Sequence, residues 1–168
     1  MLTRRDIIIK WSSYGVASLL LLFLFALTVR DLHPLGVRMF LPPLIVGVVA
    51  SVEETRPATI FGLCCGVLCD LALAGTFPCV YTIAFTLAAL CSSLLAKSVL
   101  QRGVLCSVAV SALTFFFVDA LNMLAMFLKS GAPFGAMADL AVRETLVSCL
   151  LLVAVHPVML TLHRKFTL

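Results

Sequence analysis

Apolar residues do not alternate with polar ones along this chain; they run on without a charge for long stretches and then stop at short polar or turn-forming interruptions. A helix rises about 1.5 Å per residue and the hydrocarbon layer of a bilayer is about 30 Å thick, so roughly 20 such residues cross it. Read this way, the pattern predicts an all-α membrane bundle with six spans, at residues 11–29, 35–52, 57–74, 79–96, 104–128 and 145–162. A polar leader with Arg4, Arg5 and Lys10 precedes the first span, and Trp11 and Tyr14 stand where amphipathic rings settle at the membrane surface. The second run is charge-free only from Met39 and carries Pro42 and Pro43; beginning at Leu35, with Arg38 snorkelling, it reaches crossing length. Glu53, Glu54 and Arg56 read as a solvated turn, and Pro57 suits the first position of the next helix. Lys129 to Asp139 reads as a loop rich in Gly, Ala and Pro, with an amphipathic turn through Arg143 and Glu144.

Within the third span Ala58, Gly62, Gly66, Asp70 and Ala74 recur every fourth residue and share one helix face. In lipid, apolar side chains gain nothing by leaving the hydrocarbon, so small residues at this spacing act by letting another backbone come close. Ala84, Ala88, Ser92 and Ala96 repeat the device in the fourth span, so the helices on either side of the tight turn can pack closely through their small faces, other partners being open to each as well. A bulky side chain at Gly62 or Gly66 should separate the helices, and alanine should be tolerated better. Asp70 is the exception on the stripe. A carboxyl at bilayer depth costs roughly 2.5–3.5 kcal/mol on insertion scales, which places it inside the bundle or in a wet crevice. Asp119 and Asn122, one turn apart in the fifth span, read as a polar clasp between helices or as the wall of a small pocket, and His156 as a hydrogen-bonded core histidine.

Composition agrees with the pattern: 62% of the 168 residues are hydrophobic and 12% charged, with a mean hydropathy of +1.18, against about 25% charged in soluble domains. The net charge of +4 bears on orientation rather than on nucleic acid, for which no partner role is expected. With six spans and the N-terminus in the cytoplasm, the cytoplasmic side holds Arg4, Arg5, Lys10, Arg56, Lys97, Arg102, Arg164 and Lys165, and the other side only Arg30, Arg38, Lys129 and Arg143. That bias favours both termini in the cytoplasm. The first apolar run lacks a small-residue cleavage site and reads as a retained span. Seven cysteines lie in or at the ends of apolar runs, without Cys-x-x-Cys or Cys/His spacing, and read as small apolar filler. Neither a metal nor another cofactor is expected.

Asp70 and Asp119 raise one catalytic reading, an intramembrane aspartyl protease whose two carboxyls share a proton. Lipoprotein signal peptidases, of similar length, carry an Asn shortly before the first aspartate and an Arg directly after it. Here Leu71 follows Asp70, no Asn precedes it, and Asp119 comes a helical hairpin later. Phosphate-binding, nucleophile-elbow and zinc-protease motifs are also missing, so binding or assembly is expected rather than catalysis.

The segment FGLCCGVLCDL, residues 61–71, followed by a tight turn and another apolar helix, resembles the G-x-x-x-G-x-x-x-D hallmark of the bacterial rod-shape-determining MreD family, at Gly62, Gly66 and Asp70. Length, the basic leader and the short basic tail fit the same plan. Where that family usually opens the next helix with a glycine, this chain has Phe77, Pro78 and Cys79. The resemblance implies a non-catalytic scaffold in the inner membrane, acting beside the bitopic protein MreC. Through it the scaffold would act with MreB filaments, a SEDS glycosyltransferase and a class B penicillin-binding transpeptidase. It also implies a fold similar to the substrate-binding S components of energy-coupling-factor vitamin transporters, which supplies the alternative function. The first span offers only Ser13 and Ala17 towards the Ala-x-x-x-Ala face with which those components dock.

Overall fold

The computed structural model describes residues 4–28, 40–72, 79–98, 104–130 and 134–167, and all of its regular structure is helical. Among these residues seven helices follow in order: α1 (Arg4–Thr28), α2 (Pro42–Val52), α3 (Thr55–Ala72), α4 (Val80–Ser98), α5 (Val104–Ser130), α6 (Phe134–Leu150) and α7 (Leu152–Thr167). Three of them, α3, α4 and α5, are long and apolar enough to cross a membrane, and α6 with α7 makes a fourth when the bent pair is counted as one span. In α1 and α2 the apolar segments are shorter, Ile8–Leu24 and Pro42–Val52. The protein is therefore a multi-pass type of helical bundle.

The shortest predicted span turns out to be the axis of the bundle. Every residue of α2 is buried, which is what a helix apolar on all sides requires. Pro42 and Pro43 open it, in the first turn, where a missing N–H leaves no helical bond unmade. It packs on α3, α4, α5 and α7. Leu44, Ile45, Val48 and Val49 meet Tyr14, Phe115, Val155 and Met159 on one side, and Val46 meets Phe85 and Val118 on another. Buried hydroxyls add polar ties between helices: Ser51 to Ser107 at 3.0 Å, and Ser92 to Thr114 at 3.3 Å. Residues 35–39 of the predicted second span, and 73–74 of the third, lie outside the described residues.

The predicted span 145–162 is corrected. It is interrupted at Leu151, where α6 and α7 meet at a bend of 54°. Leu151 N–H donates to the Ser148 carbonyl, a three-residue bond that tightens the chain at the break, and Pro157 inside α7 removes a further helical donor. Helix also begins at Phe134, inside the stretch read as a loop. Ala136, Ala138 and Ala141 are strong helix formers, and Asp139 pairs with Arg143 one turn on at 2.8 Å.

Candidate functional site

Close approach of α3 and α4 rests on two glycines. A Cβ on Gly62 would lie 2.7 Å from the Phe85 carbonyl oxygen and 2.7 Å from the Ala89 Cβ, and one on Gly66 would lie 2.6 Å from the Thr82 Cα and 2.7 Å from the Tyr81 carbonyl oxygen. Here the backbones themselves are in contact. The α4 residues in front of the two glycines, Tyr81, Thr82, Phe85 and Ala89, are neighbours of the predicted small-residue stripe, of which Ala84 clusters with Cys65 and Cys69 of α3 and Ala96 with Ala58. Ser92 of that stripe instead bonds Thr114 and the Val110 carbonyl of α5.

Two turns beyond Gly62 and one beyond Gly66, Asp70 reaches the start of α4. Its Oδ1 accepts the Tyr81 N–H at 3.1 Å, and its Oδ2 accepts the Thr82 N–H at 2.8 Å and the Thr82 hydroxyl at 2.5 Å. The first N–H groups of any helix lack intrahelical partners and form the positive end of its dipole, so this carboxylate caps α4 from the neighbouring helix. Cys79, just before α4, has a φ of 66°, the left-handed region that favours glycine. Asp70→Asn keeps one acceptor oxygen for these donors and Asp70→Leu keeps none. The thermal midpoint in detergent should therefore fall less with Asn, with Leu losing about 1–2 kcal/mol, the scale of a lost helix cap. Equal losses would show that the charge itself is required.

Tyr81 extends the network, because its hydroxyl is hydrogen-bonded to Asn122 of α5 and its ring stands 5.9 Å from that of Phe40. Asp70 and Asn122 thus join through one tyrosine. Asp119 points elsewhere: it accepts a long 3.4 Å bond from the Thr145 hydroxyl of α6 and borders a mostly apolar cavity of about 800 Å³ between α5 and α6. The predicted clasp therefore divides, Asn122 tying α5 to α4 and Asp119 facing α6. Among the described residues no hydrogen bond joins Asp70 to Asp119, and none of their His, Cys, Asp and Glu form a group of three or more suited to a metal ion. The cysteines are all free thiols. His156 departs from expectation, since its buried Nδ1 has no hydrogen-bond partner among the described residues.

A second carboxylate, read as solvated from the sequence, is a buried junction. Glu53 is 6% exposed. Lys10 Nζ lies 2.8 Å from both of its oxygens, Tyr14 donates its hydroxyl to Oε1 at 2.9 Å, and His163 Nδ1 lies 2.8 Å from Oε1. Burial alone would raise the Glu53 pKa, but the hydrogen bonds from Lys10, His163 and Tyr14 outweigh it and hold the carboxyl below its usual 4.5. Because the acceptor is a carboxylate, His163 Nδ1 carries the proton. The junction ties the start of α1 and the end of α7 to the turn after α2, while the adjacent Glu54 is exposed. One signal in the sequence pointed to it: Lys10 and Tyr14 lie one helical turn apart and present an ammonium and a hydroxyl on one face. Comparison with protein-family models, with curated proteins and with solved structures gives no significant match to this chain.

Proposed function

We propose that this chain is an MreD-type scaffold subunit of the bacterial cell-elongation complex, a non-catalytic protein of the cytoplasmic membrane that acts beside an MreC-like bitopic partner. Through that partner it would work with MreB and with the glycosyltransferase and transpeptidase that build peptidoglycan. The observation that carries the reading is the α3–α4 clasp. Gly62, Gly66 and Asp70, the hallmark positions, act as one unit, two bringing α4 into backbone contact and the third capping its start. Asp70 is thereby occupied in a role that needs no bond-making chemistry.

Six crossings with both termini in the cytoplasm belong to the same proposal, and the ends of the helices support it. Lys10, Glu53 and His163 meet at one end of the bundle. Ala50, Ala58, Ala96 and Cys106 cluster there too, so the starts of α1, α3 and α5 share that end with the finishes of α2, α4 and α7. Charge bias assigns this end to the cytoplasm.

Depletion of the protein in a rod-shaped host should turn rods into rounded cells that still enlarge, and the wild-type chain should restore them. Rods that keep their shape through depletion would overturn the proposal.

A further inference from the structure

We propose that the crevice between α1 and α3 seats one acyl chain of an anionic phospholipid whose phosphate is held at Arg56. In this bundle α1 leans mainly on α7 and meets α3 at Trp11 and Phe61, whose rings stand 6.3 Å apart; beside that contact lies an opening of about 540 Å³ between the two helices. Gly15 on the α1 wall has nothing within 4 Å of where its Cβ would be. The α3 wall runs from Arg56 through Ile60 and Cys64 to Leu68, about 18 Å at the helical rise, close to the roughly 15 Å that one leaflet contributes to the hydrocarbon layer.

Shape and charge decide between occupants. A helix with its side chains is about 10–12 Å across, and the opening holds about 540 Å³. An acyl chain is narrower and is supplied by the surrounding bilayer. Among the described residues Arg56, exposed at one end, is the only charged one lining the crevice, and no acidic side chain among them forms an ion pair with it. Lys10, close in sequence to the same mouth, is already engaged by Glu53. An apolar slot of one leaflet's depth with a guanidinium at its entrance that forms no ion pair among the described residues fits a lipid that brings a negative headgroup to that entrance. This inference requires only that the bundle is in a membrane and is independent of the proposed scaffold role.

The chain has a single tryptophan, and Trp11 lines the crevice. Its fluorescence therefore reports what fills the space. The purified full chain is reconstituted in phosphatidylcholine vesicles containing increasing fractions of either brominated phosphatidylglycerol or brominated phosphatidylcholine, bromine on the acyl chain being the quencher. Half-maximal quenching should need about fivefold less phosphatidylglycerol than brominated phosphatidylcholine, the preference one basic residue near the surface confers. Arg56→Gln should bring that ratio to about one, and Arg56→Lys should retain most of it. Gly15→Phe, which has room for its ring, should weaken quenching by both lipids. Equal quenching by the two lipids in the wild type, or a preference that survives Arg56→Gln, would reduce the crevice to ordinary lipid contact and overturn the proposal. Absence of quenching by either would also overturn it, leaving the space to a protein helix.

Discussion

Gly66→Leu is expected to abolish recovery of monodisperse protein from mild detergent, and Gly66→Ala to lower the thermal midpoint by the equivalent of about 1–3 kcal/mol, the range for overpacking a fitted site. The reason is what stands in the way. A Cβ on Gly66 would fall 2.6 Å from the Thr82 Cα and 2.7 Å from the Tyr81 carbonyl oxygen. Both are backbone atoms, which cannot turn aside as the tip of a side chain can. Relief requires sliding α4 away from α3, and that in turn pulls Tyr81 and Thr82 off the Asp70 carboxylate. Clash and lost cap then add at one place. Spacing alone suggested that alanine would be tolerated better than a bulky residue, and the contacts add that even one methyl group is costly. Gly15→Ala is the control: the space in front of it is open and alanine is the better helix former, so its midpoint should stay level or rise. A Gly66→Ala variant as stable as wild type would contradict the backbone contact.

Glu53→Ala is expected to destabilise the bundle by about 3–5 kcal/mol, the scale for removing one partner of a buried ion pair. Without the carboxylate, the Lys10 ammonium, the Tyr14 hydroxyl and the protonated His163 Nδ1 are left with no common acceptor among largely buried groups. Glu53→Gln keeps the shape and one acceptor oxygen and should lose less. The pH dependence has a definite sign. A carboxyl held below its usual 4.5 contributes its full stability above that value and loses it as pH falls through the lower folded value. The wild-type midpoint, measured by differential scanning fluorimetry in detergent, should therefore drop with acidification below about 4.5. Glu53→Gln should flatten that drop. An acid limb as steep in the variant as in the wild type would show that Glu53 does not carry it.

What could be read from the sequence was whatever depends on local composition and period. The apolar runs located α3, α4 and α5 to within two residues at each described end, because a membrane requires uninterrupted apolar helices and charges mark their limits. The four-residue spacing singled out Gly62, Gly66 and Asp70, and those residues do share one face against one neighbour. Long-range geometry was harder to see. Nothing in a pair of adjacent glutamates tells that the first is swallowed by Lys10 and His163, 43 and 110 residues away, while the second stays exposed. Likewise the proline-containing run was read as a span that reaches crossing length only by starting at Leu35, whereas its helix begins at Pro42 and is buried along its whole length. The break at Leu151 was hidden because an apolar run continues unchanged through it, with only Pro157 as a mark.

The most direct test of the scaffold role is purification of the tagged full chain from its native membrane in mild detergent, with mass spectrometry of the proteins and small molecules that come with it. The expected result is a single-span partner with a coiled-coil external domain, together with cell-wall synthases and no ATPase module. A stoichiometric vitamin-like ligand, or a transmembrane coupling subunit bringing an ATPase, would contradict the scaffold and assign the chain to substrate capture for a transporter instead.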